Sequence, residues 1–467
     1  MQGVGAVILA AGQGKRMRSE TPKVLHCAAG RPLVRHVLDA VEEAGITEVV
    51  VVIGQGADMV REALGPQYNY ALQEKQLGTG DAVLKALPHL SAECKEVLVV
   101  CGDTPLLRSE TLAKLVRSRQ ETGAAAAVLT GIFEDPQGYG RIIRTADDMV
   151  EAIVEESDAT VEQKRIQEIN TGSYAFTKEA LETTIHRLQP DNKQGEYYLT
   201  DCIYLLREAD QPVTAVIAPT IETAGINTRR QLADAERILR EWECERLMSE
   251  GVTIYDPSTT YVDKGVQVGQ DTIIYPFTFL EGKTIIGRRC VIGPGTRLHS
   301  VLLGDDVSVQ YSVVAASTVG NECQIGPYSH IRPGNVLADQ VKIGGFVELK
   351  ASSVGEGSKI PHLSYIGDTV IGTDVNIGAG TITCNYDGAH KHKTFIEDGV
   401  FIGSNTNLVA PVSVGKDAVI GAGSTITRDV PAACLAVERA KQVMIPDWGQ
   451  KKRKKGEHEE EWKNEGS

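Results

Sequence analysis

The sequence predicts two architectures in one chain: an α/β domain with a doubly wound, mostly parallel sheet, followed by a parallel β-helix. Three observations carry this prediction. Short apolar runs alternate with helical patterns from residue 4 to about residue 225, as in sheets with helices on both faces. A charged stretch with helical spacing follows at 229–251. From residue 251 onward, aliphatic residues recur every six positions, a period that fits neither a helix nor a simple hairpin.

The first domain, predicted over residues 1–228, is Rossmann-like. Its strands are expected to be buried on both faces, because their apolar runs are continuous. These runs are Ala6–Ala10, Val49–Ile53, Val97–Cys101 and Ala124–Thr130. Leu33–Ala44 and Gly80–Leu87 have helical periodicity. Ligands of such sheets bind at the carboxyl ends of the strands, so candidate site residues are sought there.

Residues 229–250 predict a single connecting helix. The stretch is rich in charge and is followed by Gly251, a common helix terminator. Its apolar residues fall at helical spacing: Leu232, Ala235, Ile238, Leu239 and Trp242.

Residues 251–445 predict a left-handed parallel β-helix of hexapeptide repeats, because a six-residue aliphatic period gives one inward side chain per short strand. The series are Ile286, Ile292 and Leu298; Ile325, Ile331, Leu337, Ile343 and Leu349; and Ile396, Ile402, Leu408, Val414, Ile420 and Ile426. Gly, Asn and Asp supply the corners. The length corresponds to roughly ten coils, with Asn385–Thr394 as an insertion.

Composition limits the classes of function. The net charge of −14 argues against nucleic acid as a partner. Nine cysteines without a CxxC pair indicate reduced, mostly buried thiols in a cytoplasmic protein. No apolar run reaches membrane-spanning length. The charged tail at 446–467 is expected to be disordered; its basic pentad Lys451–Lys455 leaves contact with nucleic acid or membrane as an alternative.

A glycine-rich turn follows the first predicted strand in the stretch LAAGQGKRMRSETPK, residues 9–23. Glycines let the backbone approach phosphates and form an anion-binding nest. The cations after the turn, among them Arg16 and Lys23, can neutralise a triphosphate. The stretch resembles the fingerprint of sugar-1-phosphate nucleotidyltransferases, and departs from it at Lys15, where a small residue is usual.

Further segments carry the same resemblance, and their chemistry suits it. An amide such as Gln73 can donate and accept at the edge of uracil, although a surface amide is the alternative. Asp103 follows an apolar strand. A carboxylate in this place can bind a Mg²⁺ ion that is held on phosphates; the alternative is that it caps a helix. The resemblance implies that UTP and UDP-N-acetylglucosamine contact Leu9, Ala10, Ala11, Gly12, Lys23, Gln73, Gly78, Thr79, Cys101, Gly102, Asp103, Gly140, Glu155, Asn170 and Asn227.

The implied reaction is in-line attack of a sugar-1-phosphate oxygen on the α-phosphorus of UTP. The nucleophile is already ionised, so charge neutralisation and alignment should dominate catalysis. By resemblance, Arg16 and Lys23 contact the phosphates, whereas Asp103 and Asn227 hold Mg²⁺.

Polar residues are superimposed on the hexads of the second domain in a pattern that an oligomerising scaffold does not need, among them Arg332, Lys350, His362, Tyr365 and Asn385. The pattern resembles the bifunctional family of N-acetylglucosamine-1-phosphate uridyltransferases/glucosamine-1-phosphate acetyltransferases. The resemblance implies that His362 is the general base, since imidazole titrates near neutral pH. It assigns the sugar phosphate to Arg332, Lys350, Tyr365 and Asn376, and acetyl-CoA to Ala379, Asn385, Tyr386, Ser404, Ala422 and Arg439. Asn385 and Ser404 are further expected to orient the amine and stabilise the oxyanion.

Four residues depart from the family pattern, and we expect them to change the rim of the site while its chemistry is retained. Pro361 stands where glycine is frequent, Ser364 replaces a common threonine, and Glu438 replaces a small polar residue, in addition to Lys15. His390 and His392 leave a zinc site open as an alternative to a solvated loop.

The family implies a homotrimer with the acetyltransferase site between β-helices, and UTP, acetyl-CoA, glucosamine-1-phosphate and N-acetylglucosamine-1-phosphate as substrates. Two alternatives stay open at this point. One is a sugar-1-phosphate nucleotidyltransferase whose β-helix only oligomerises. The other is a non-catalytic scaffold. His362 and Lys350 argue against the first, and Lys23 and Asp103 against the second.

Overall fold

The computed structural model describes residues 1–453 and divides into two compact units. The α/β unit comprises Met1–Glu250, Asp256–Val266 and Leu280–Gly282; the β-helical unit comprises Gly251–Tyr255, Gln267–Phe279 and the described chain from Lys283 onward. The tail was predicted to be disordered over 446–467. Residues 448–453 are instead helical, and 454–467 lie outside the described residues. No helix within residues 1–453 is both long and apolar enough to cross a membrane.

The sheet of the α/β unit is mostly parallel, as predicted, with strands in the order β11-β7-β10-β6-β1-β4-β5. The strands are β1 (Val4–Leu9), β2 (Cys27–Ala28), β3 (Arg31–Pro32), β4 (Glu48–Ile53), β5 (Asn69–Leu72), β6 (Glu96–Cys101), β7 (Ala126–Ile132), β8 (Arg141–Arg144), β9 (Val150–Val154), β10 (Glu168–Thr177) and β11 (Val213–Ile217). The helices are α1 (Leu33–Glu43), α2 (Ala57–Leu64), α3 (Thr79–Ala86), α4 (Ser109–Thr122), α5 (Lys178–Ile185), α6 (Asp201–Glu208) and α7 (Arg229–Ser249).

The strand β10 is antiparallel to both β6 and β7, and β8 with β9 forms a hairpin beside it. The sequence analysis did not predict these elements. Polar residues such as Asn170 and Thr171 interrupt the apolar run of β10, and the register shifts between Asn170 and Tyr174. This bulge brings polar side chains to the middle of the sheet, next to the end of β6.

Helix α7 packs on the α/β unit through its apolar face. Ala235 and Leu239 are buried in a cluster with Ala28, Leu33 and Leu106. The helix begins at a capping box in which Thr228 and Gln231 bond reciprocally to the backbone, an arrangement that satisfies two otherwise unpaired amide groups.

The β-helical unit consists of parallel two- to four-residue strands stacked in three sheets, in agreement with the predicted coil. One sheet contains Thr253–Ile254, Ile273–Ile274, Val291–Ile292, Ser308–Val309, Gln324–Ile325, Lys342–Gly345, Lys359–His362, Asn376–Ile377, Phe401–Ile402, Val419–Ile420 and Leu435–Ala436. A second contains Arg297–His299, Val313–Ala315, His330–Ile331, Glu348–Lys350, Tyr365–Gly367, Ile382–Cys384, Asn407–Val409 and Thr425–Ile426. The third contains Gln267–Val268, Ile285–Ile286, Leu302–Leu303, Thr318–Val319, Val336–Leu337, Ser353–Val354, Thr369–Ile371, Thr394–Ile396 and Val412–Val414.

The remaining short strands are Tyr261–Val262 and Phe279–Glu281. Throughout the coils, the predicted aliphatic residues point inward and are buried, as at Ile343 and Ile402. Their pairing gives the register: Ile343 opposes Ile360, and Ile377 opposes Ile402. A coil therefore advances 17 residues in the first case (360 − 343) and 25 in the second (402 − 377). The predicted insertion at 385–394 accounts for the longer step.

All nine cysteines are free, as predicted. Five are buried and two are partly buried, whereas Cys27 and Cys434 are exposed. Burial raises the pKa of Cys101 to about 12, so this thiol stays protonated beside the strand ends described next.

Candidate active sites

The first candidate site lies where β1 and β6 end side by side. Leu9 opposes Cys101 in the parallel register, and the Gly102 N–H donates to the Leu9 carbonyl at 2.9 Å. This pairing brings the glycine-rich turn of residues 10–14 next to the segment containing Asp103. Two sequence segments about 90 residues apart (102 − 12) therefore meet at the carboxyl edge of the sheet, as expected for doubly wound folds.

Three residues from three segments converge at this edge. The Lys23 ammonium donates to the Asp103 carboxylate and, at 3.0 Å, to Oδ1 of Asn227. Asn227 is held there because the Ile226 N–H donates to the Asp103 carbonyl at 2.9 Å. The Lys23 and Asp103 side chains are mostly buried. The Lys23 ammonium is thus bound by the side-chain oxygens of Asp103 and Asn227, the same two residues that the resemblance assigns to a metal ion.

This oxygen pair fits a divalent metal ion. Carboxylate and amide oxygens are hard ligands, and Mg²⁺ is characteristically held by one or two carboxylates together with substrate phosphates. In the described chain, no three His, Cys, Asp or Glu side chains are grouped to hold a metal unaided. Asp103 and Asn227 would therefore share a metal with phosphate oxygens, in the place where the Lys23 ammonium now lies.

A cavity of about 270 Å³ extends from this group toward β5 and α3. Its lining includes the predicted residues Leu9, Ala11, Gly12, Lys23, Gln73, Gly78, Thr79 and Asp103, together with Val24, Gln76, Ala82 and Glu196. The last four were absent from the predicted site residues. Gln76 lies two residues before the predicted Gly78, and its amide donates to the Ala11 carbonyl at 2.5 Å. Glu196 carries no local sequence signal.

Gln73 is buried, and its amide nitrogen is engaged within the protein. The nitrogen donates to the Gly78 carbonyl at 3.0 Å and to Asp81 Oδ2 at 2.9 Å. Both amide hydrogens are therefore used, which leaves the side-chain oxygen for a ligand. In this conformation Gln73 can accept from a base but does not donate to it, a narrower role than the sequence suggested.

The bulged part of β10 lines a second end of the site. A Cβ on Gly140 would lie 3.4 Å from Glu155 Oε2 and 3.5 Å from Asn170 Cβ, so these three predicted residues are neighbours. The Asn170 amide donates to the Tyr174 hydroxyl at 2.7 Å. Burial raises the pKa of Glu155, and a hydrogen bond from Thr200, at 3.4 Å, acts in the opposite direction.

Arg16 is exposed, on the 3-10 turn Lys15–Met17. Burial raises the pKa of Tyr139, the Asp103 charge adds to this effect, and the Arg16 charge opposes it. Arg16 and Asp103 therefore both lie near Tyr139.

The second candidate site is built from columns of residues in the β-helical unit. His362, Ala379, Ser404 and Ala422 each follow a buried isoleucine by two positions. The stacked registers place these positions one above another. Backbone bonds also link the coils, since the Asn405 N–H donates to Ala379 and the Gly423 N–H to Ser404. We call these four residues the histidine column. Arg439 lies at its end and donates to the Ala422 carbonyl at 3.1 Å.

A second column lies in the neighbouring sheet. Leu349 opposes Ile366 and Lys350 opposes Gly367, while the Arg332 N–H donates to Leu349 one coil earlier. Arg332 and Lys350 are thereby stacked on one side of the coils, and we call them the cation column. Arg332 also pairs with Glu348 at 3.1 Å.

Tyr365 and Asn385 meet above Gly367. A Cβ on Gly367 would lie 2.6 Å from the Tyr365 hydroxyl and 2.7 Å from Asn385 Nδ2. No side chain larger than hydrogen fits there without moving both groups. One residue that the sequence analysis missed joins this cluster. Asp368 Oδ2 accepts from Lys350 Nζ at 3.0 Å and from Asn385 Nδ2 at 2.5 Å.

The inserted loop holds Tyr386, which is exposed and donates from its hydroxyl to the Gly388 carbonyl at 2.6 Å. His392 contacts Asp387 at 2.7 Å. Hydrogen bonds from the His390 backbone N–H, the His392 side chain and the Ala389 backbone N–H lower the pKa of Asp387. Among the described residues, no three His, Cys, Asp or Glu side chains are grouped in this loop to hold a metal ion.

Two of the departures from the family pattern have structural partners. Glu438 accepts from the Thr425 N–H at 3.3 Å, and Ser364 donates to the His362 carbonyl at 2.7 Å. These two hydrogen bonds hold the backbone around the columns without placing either side chain in a column.

Asn376 lies beside Lys359 in the sheet of the histidine column.

Three family models match the chain. Residues 6–190 match the MobA-like NTP transferase domain, residues 257–347 the GMPPB C-terminal domain, and residues 393–428 the bacterial transferase hexapeptide (six repeats). The first match covers most of the α/β sheet and ends before β11, and the other two lie largely in the β-helical unit.

The chain is also similar to complete bacterial proteins. Each of three is named bifunctional protein GlmU. That of Heliobacterium modesticaldum is 53% identical over 437 residues, which are 93% of this chain and 95% of the relative. That of Geobacillus thermodenitrificans is 50% identical over 94% of this chain and 96% of its own length. That of Caldanaerobacter subterraneus is 49% identical over 98% of this chain and 100% of its own length.

Proposed function

The chain belongs to the family of bifunctional GlmU proteins, and we infer that it catalyses both acetyl transfer and uridylyl transfer in the synthesis of UDP-N-acetylglucosamine. The observation that carries this conclusion is the similarity over 93% of the chain, a length that spans both the α/β unit and the β-helical unit. A nucleotidyltransferase whose β-helix only oligomerises is not favoured, because such a protein has no use for His362 and Lys350 in their columns.

We propose that uridylyl transfer takes place at the edge formed by β1 and β6. A phosphate oxygen of N-acetylglucosamine-1-phosphate bonds to the α-phosphorus of UTP. The bond between this phosphorus and the oxygen that bridges it to the β-phosphorus breaks, and pyrophosphate leaves. The residues Gly140, Glu155 and Asn170 bind the sugar, and Gln73 accepts from the base. Arg16 and Lys23 neutralise the phosphates as charge moves to the leaving group.

The metal is proposed to be Mg²⁺, held by Asp103 and Asn227 together with phosphate oxygens. When bound, it supplies Lewis-acid polarisation and charge neutralisation at the phosphates. Lys23 must then leave these two oxygens, and its ammonium is free to contact the triphosphate. We therefore assign two partners to Lys23. It contacts the Asp103 and Asn227 oxygens when no ligand is bound, and the phosphates when ligands are bound.

Acetyl transfer is proposed to take place at the histidine and cation columns. The amine nitrogen of glucosamine-1-phosphate bonds to the thioester carbon of acetyl-CoA, and the carbon–sulfur bond breaks. His362 removes the proton from the amine and returns it to the departing thiolate, so that coenzyme A leaves as the thiol. Arg332 and Lys350 bind the sugar phosphate, with Tyr365 and Asn376 on the sugar. The small side chains of Ala379 and Ala422 leave room for the pantetheine arm beside Tyr386 and Arg439.

We propose a cytoplasmic homotrimer in which neighbouring β-helices complete the acetyl-transfer site. The two columns belong to different sheets of the β-helix, so the histidine column of one copy can face the cation column of a second copy. An exposed aromatic stack at one corner of the coils supports association: Tyr328 lies 5.6 Å from Tyr311 and 5.3 Å from Phe346, between ring centroids. Tyr328 and Phe346 are 57% and 61% exposed, and contiguous exposed apolar patches of this kind mark interfaces.

The oligomer is tested by charge insertion in this stack. Phe346→Asp should reduce the mass in light scattering from trimer to monomer, whereas Phe395→Asp, at an exposed aromatic on another sheet, should leave the trimer intact. Dissociation by the control alone would locate the interface elsewhere.

Two parallel assays test the activities. Thiol release from acetyl-CoA should require glucosamine-1-phosphate, and pyrophosphate release from UTP should require N-acetylglucosamine-1-phosphate and Mg²⁺. Pyrophosphate release without any thiol release would restore the single-activity alternative.

A further inference from the structure

Asp368 has no role in the mechanism described above, yet it lies at the centre of the acetyl-transfer cluster. A single oxygen, Oδ2, accepts from Lys350 at 3.0 Å and from Asn385 at 2.5 Å. Lys350 and Asp368 are both mostly buried at the side chain, with 18% of each exposed. An ion pair at this depth is screened less than a surface pair.

The carboxylate determines how the Asn385 amide is turned. A carboxylate only accepts hydrogen bonds, so the Asn385 group that faces it must be the NH₂. The amide oxygen then points away from Asp368 and is available to accept from the amine of a sugar. A reversed amide would place oxygen against oxygen, at the cost of the charge-assisted bond.

The same oxygen limits the position of Lys350. Lys391, on the inserted loop, is close to Lys350, and the positive charge of Lys350 lowers the pKa of Lys391. The Asp368 carboxylate balances this pair of cations. Burial opposes its ionisation, but the hydrogen bonds from Lys350 and Asn385 outweigh burial and hold the pKa of Asp368 below its ordinary value.

We propose that Asp368 is a positioning residue for acetyl transfer, which orients the Asn385 amide toward the amine and holds Lys350 toward the sugar phosphate. This inference rests on the proposed acetyltransferase activity. Asp368 acts through these two residues and does not touch the reacting atoms. Its backbone has a left-handed φ of 50°, a conformation that Asp, Asn and Gly adopt more readily than other residues.

That backbone allows two substitutions that suit the fold. Asp368→Asn keeps the shape and removes the charge, and Asp368→Gly removes the whole side chain. The matched control is Asp374→Asn, because Asp374 lies at another corner with a φ of 53° and is exposed. Uridylyl transfer and the oligomer mass report folding in each variant.

We expect both Asp368 variants to reduce kcat for acetyl transfer about tenfold or more, since they free the group that orients the amine. KM for glucosamine-1-phosphate should stay within about threefold, because the loss of a nearby negative charge strengthens the attraction between Lys350 and phosphate. Uridylyl transfer by the Asp368 variants and both activities of the Asp374→Asn control should be unchanged. A purely structural role would instead lower thermal stability, with kcat near that of the wild type.

A double-mutant cycle with Asn385→Ala separates direct from indirect action. If Asp368 acts through Asn385, the combined variant should be little slower than Asn385→Ala alone. Fully additive losses, or Asp368 variants within twofold of wild-type kcat, would overturn the inference while leaving the activity in place. A wild-type protein without thiol release would overturn the proposed acetyltransferase together with it.

Discussion

The two units assemble their candidate sites in different ways. In the α/β unit, Lys23, Asp103 and Asn227 come from segments 80 and 124 residues apart (103 − 23 and 227 − 103), and only the sheet topology brings them together. In the β-helical unit, the histidine column repeats with the coil, so its members are neighbours because of their spacing in the sequence. A site in the first unit depends on long-range packing, and a site in the second depends on register.

This contrast predicts independent failure, and the largest effect is expected for Asp103→Ala. Loss of the carboxylate should slow uridylyl transfer about a thousandfold, the scale of several kcal/mol of transition-state stabilisation by a metal. Acetyl transfer should not change. Parallel steady-state assays measure both, with Asp58→Ala, a fully exposed aspartate of α2, as the control. Near-normal pyrophosphate release would make Asp103 a structural residue.

His362→Ala should reverse the pattern. Acetyl transfer should fall about a hundredfold, as for removal of a general base, while uridylyl transfer and oligomer mass persist. His299→Ala, at an exposed histidine on another coil, should behave as wild type. Thiol release at a rate close to wild type from a correctly assembled mutant would remove His362 from the mechanism.

Glu155 allows the sugar end of the first site to be tested by pH. Because burial raises the pKa of this carboxyl, it takes up a proton at a higher pH than an ordinary glutamate. Acidification should therefore raise KM for N-acetylglucosamine-1-phosphate, by about tenfold for loss of hydrogen bonds to a charged group. Glu155→Gln should show a high KM with no such pH dependence. Identical pH profiles for the two proteins would contradict the assignment.

The smallest effect concerns the cation that Asp103 and Asn227 hold. Lys23→Met removes a positive charge from these oxygens, so the protein without nucleotide should bind Mn²⁺ about fivefold more tightly, equivalent to about 1 kcal/mol of charge repulsion. Electron paramagnetic resonance of free Mn²⁺ measures this binding directly. Lys114→Met, at an exposed residue of α4, is the control. Unchanged Mn²⁺ binding would mean that the ammonium does not occupy the place of the metal.

The sequence anticipated most of the β-helical unit. The aliphatic period predicted which residues are buried, and the insertion at 385–394 accounts for the one long step between coils. It did not reveal Asp368, because an aspartate at a coil corner is common in such repeats, as at Asp374 and Asp417. Only the stacking of Lys350 below it and Asn385 above it distinguishes this corner from the others.

In the α/β unit the sequence determined the buried strands, the glycine-rich turn and the family, since these depend on local pattern and on motifs in order. The tertiary structure decided the rest. It placed Glu196 in the cavity, turned Gln73 so that its nitrogen is used by Asp81, inserted the antiparallel β10, and set Lys23 between Asp103 and Asn227. These features arise from contacts between residues far apart in the chain, and no local propensity encodes such contacts.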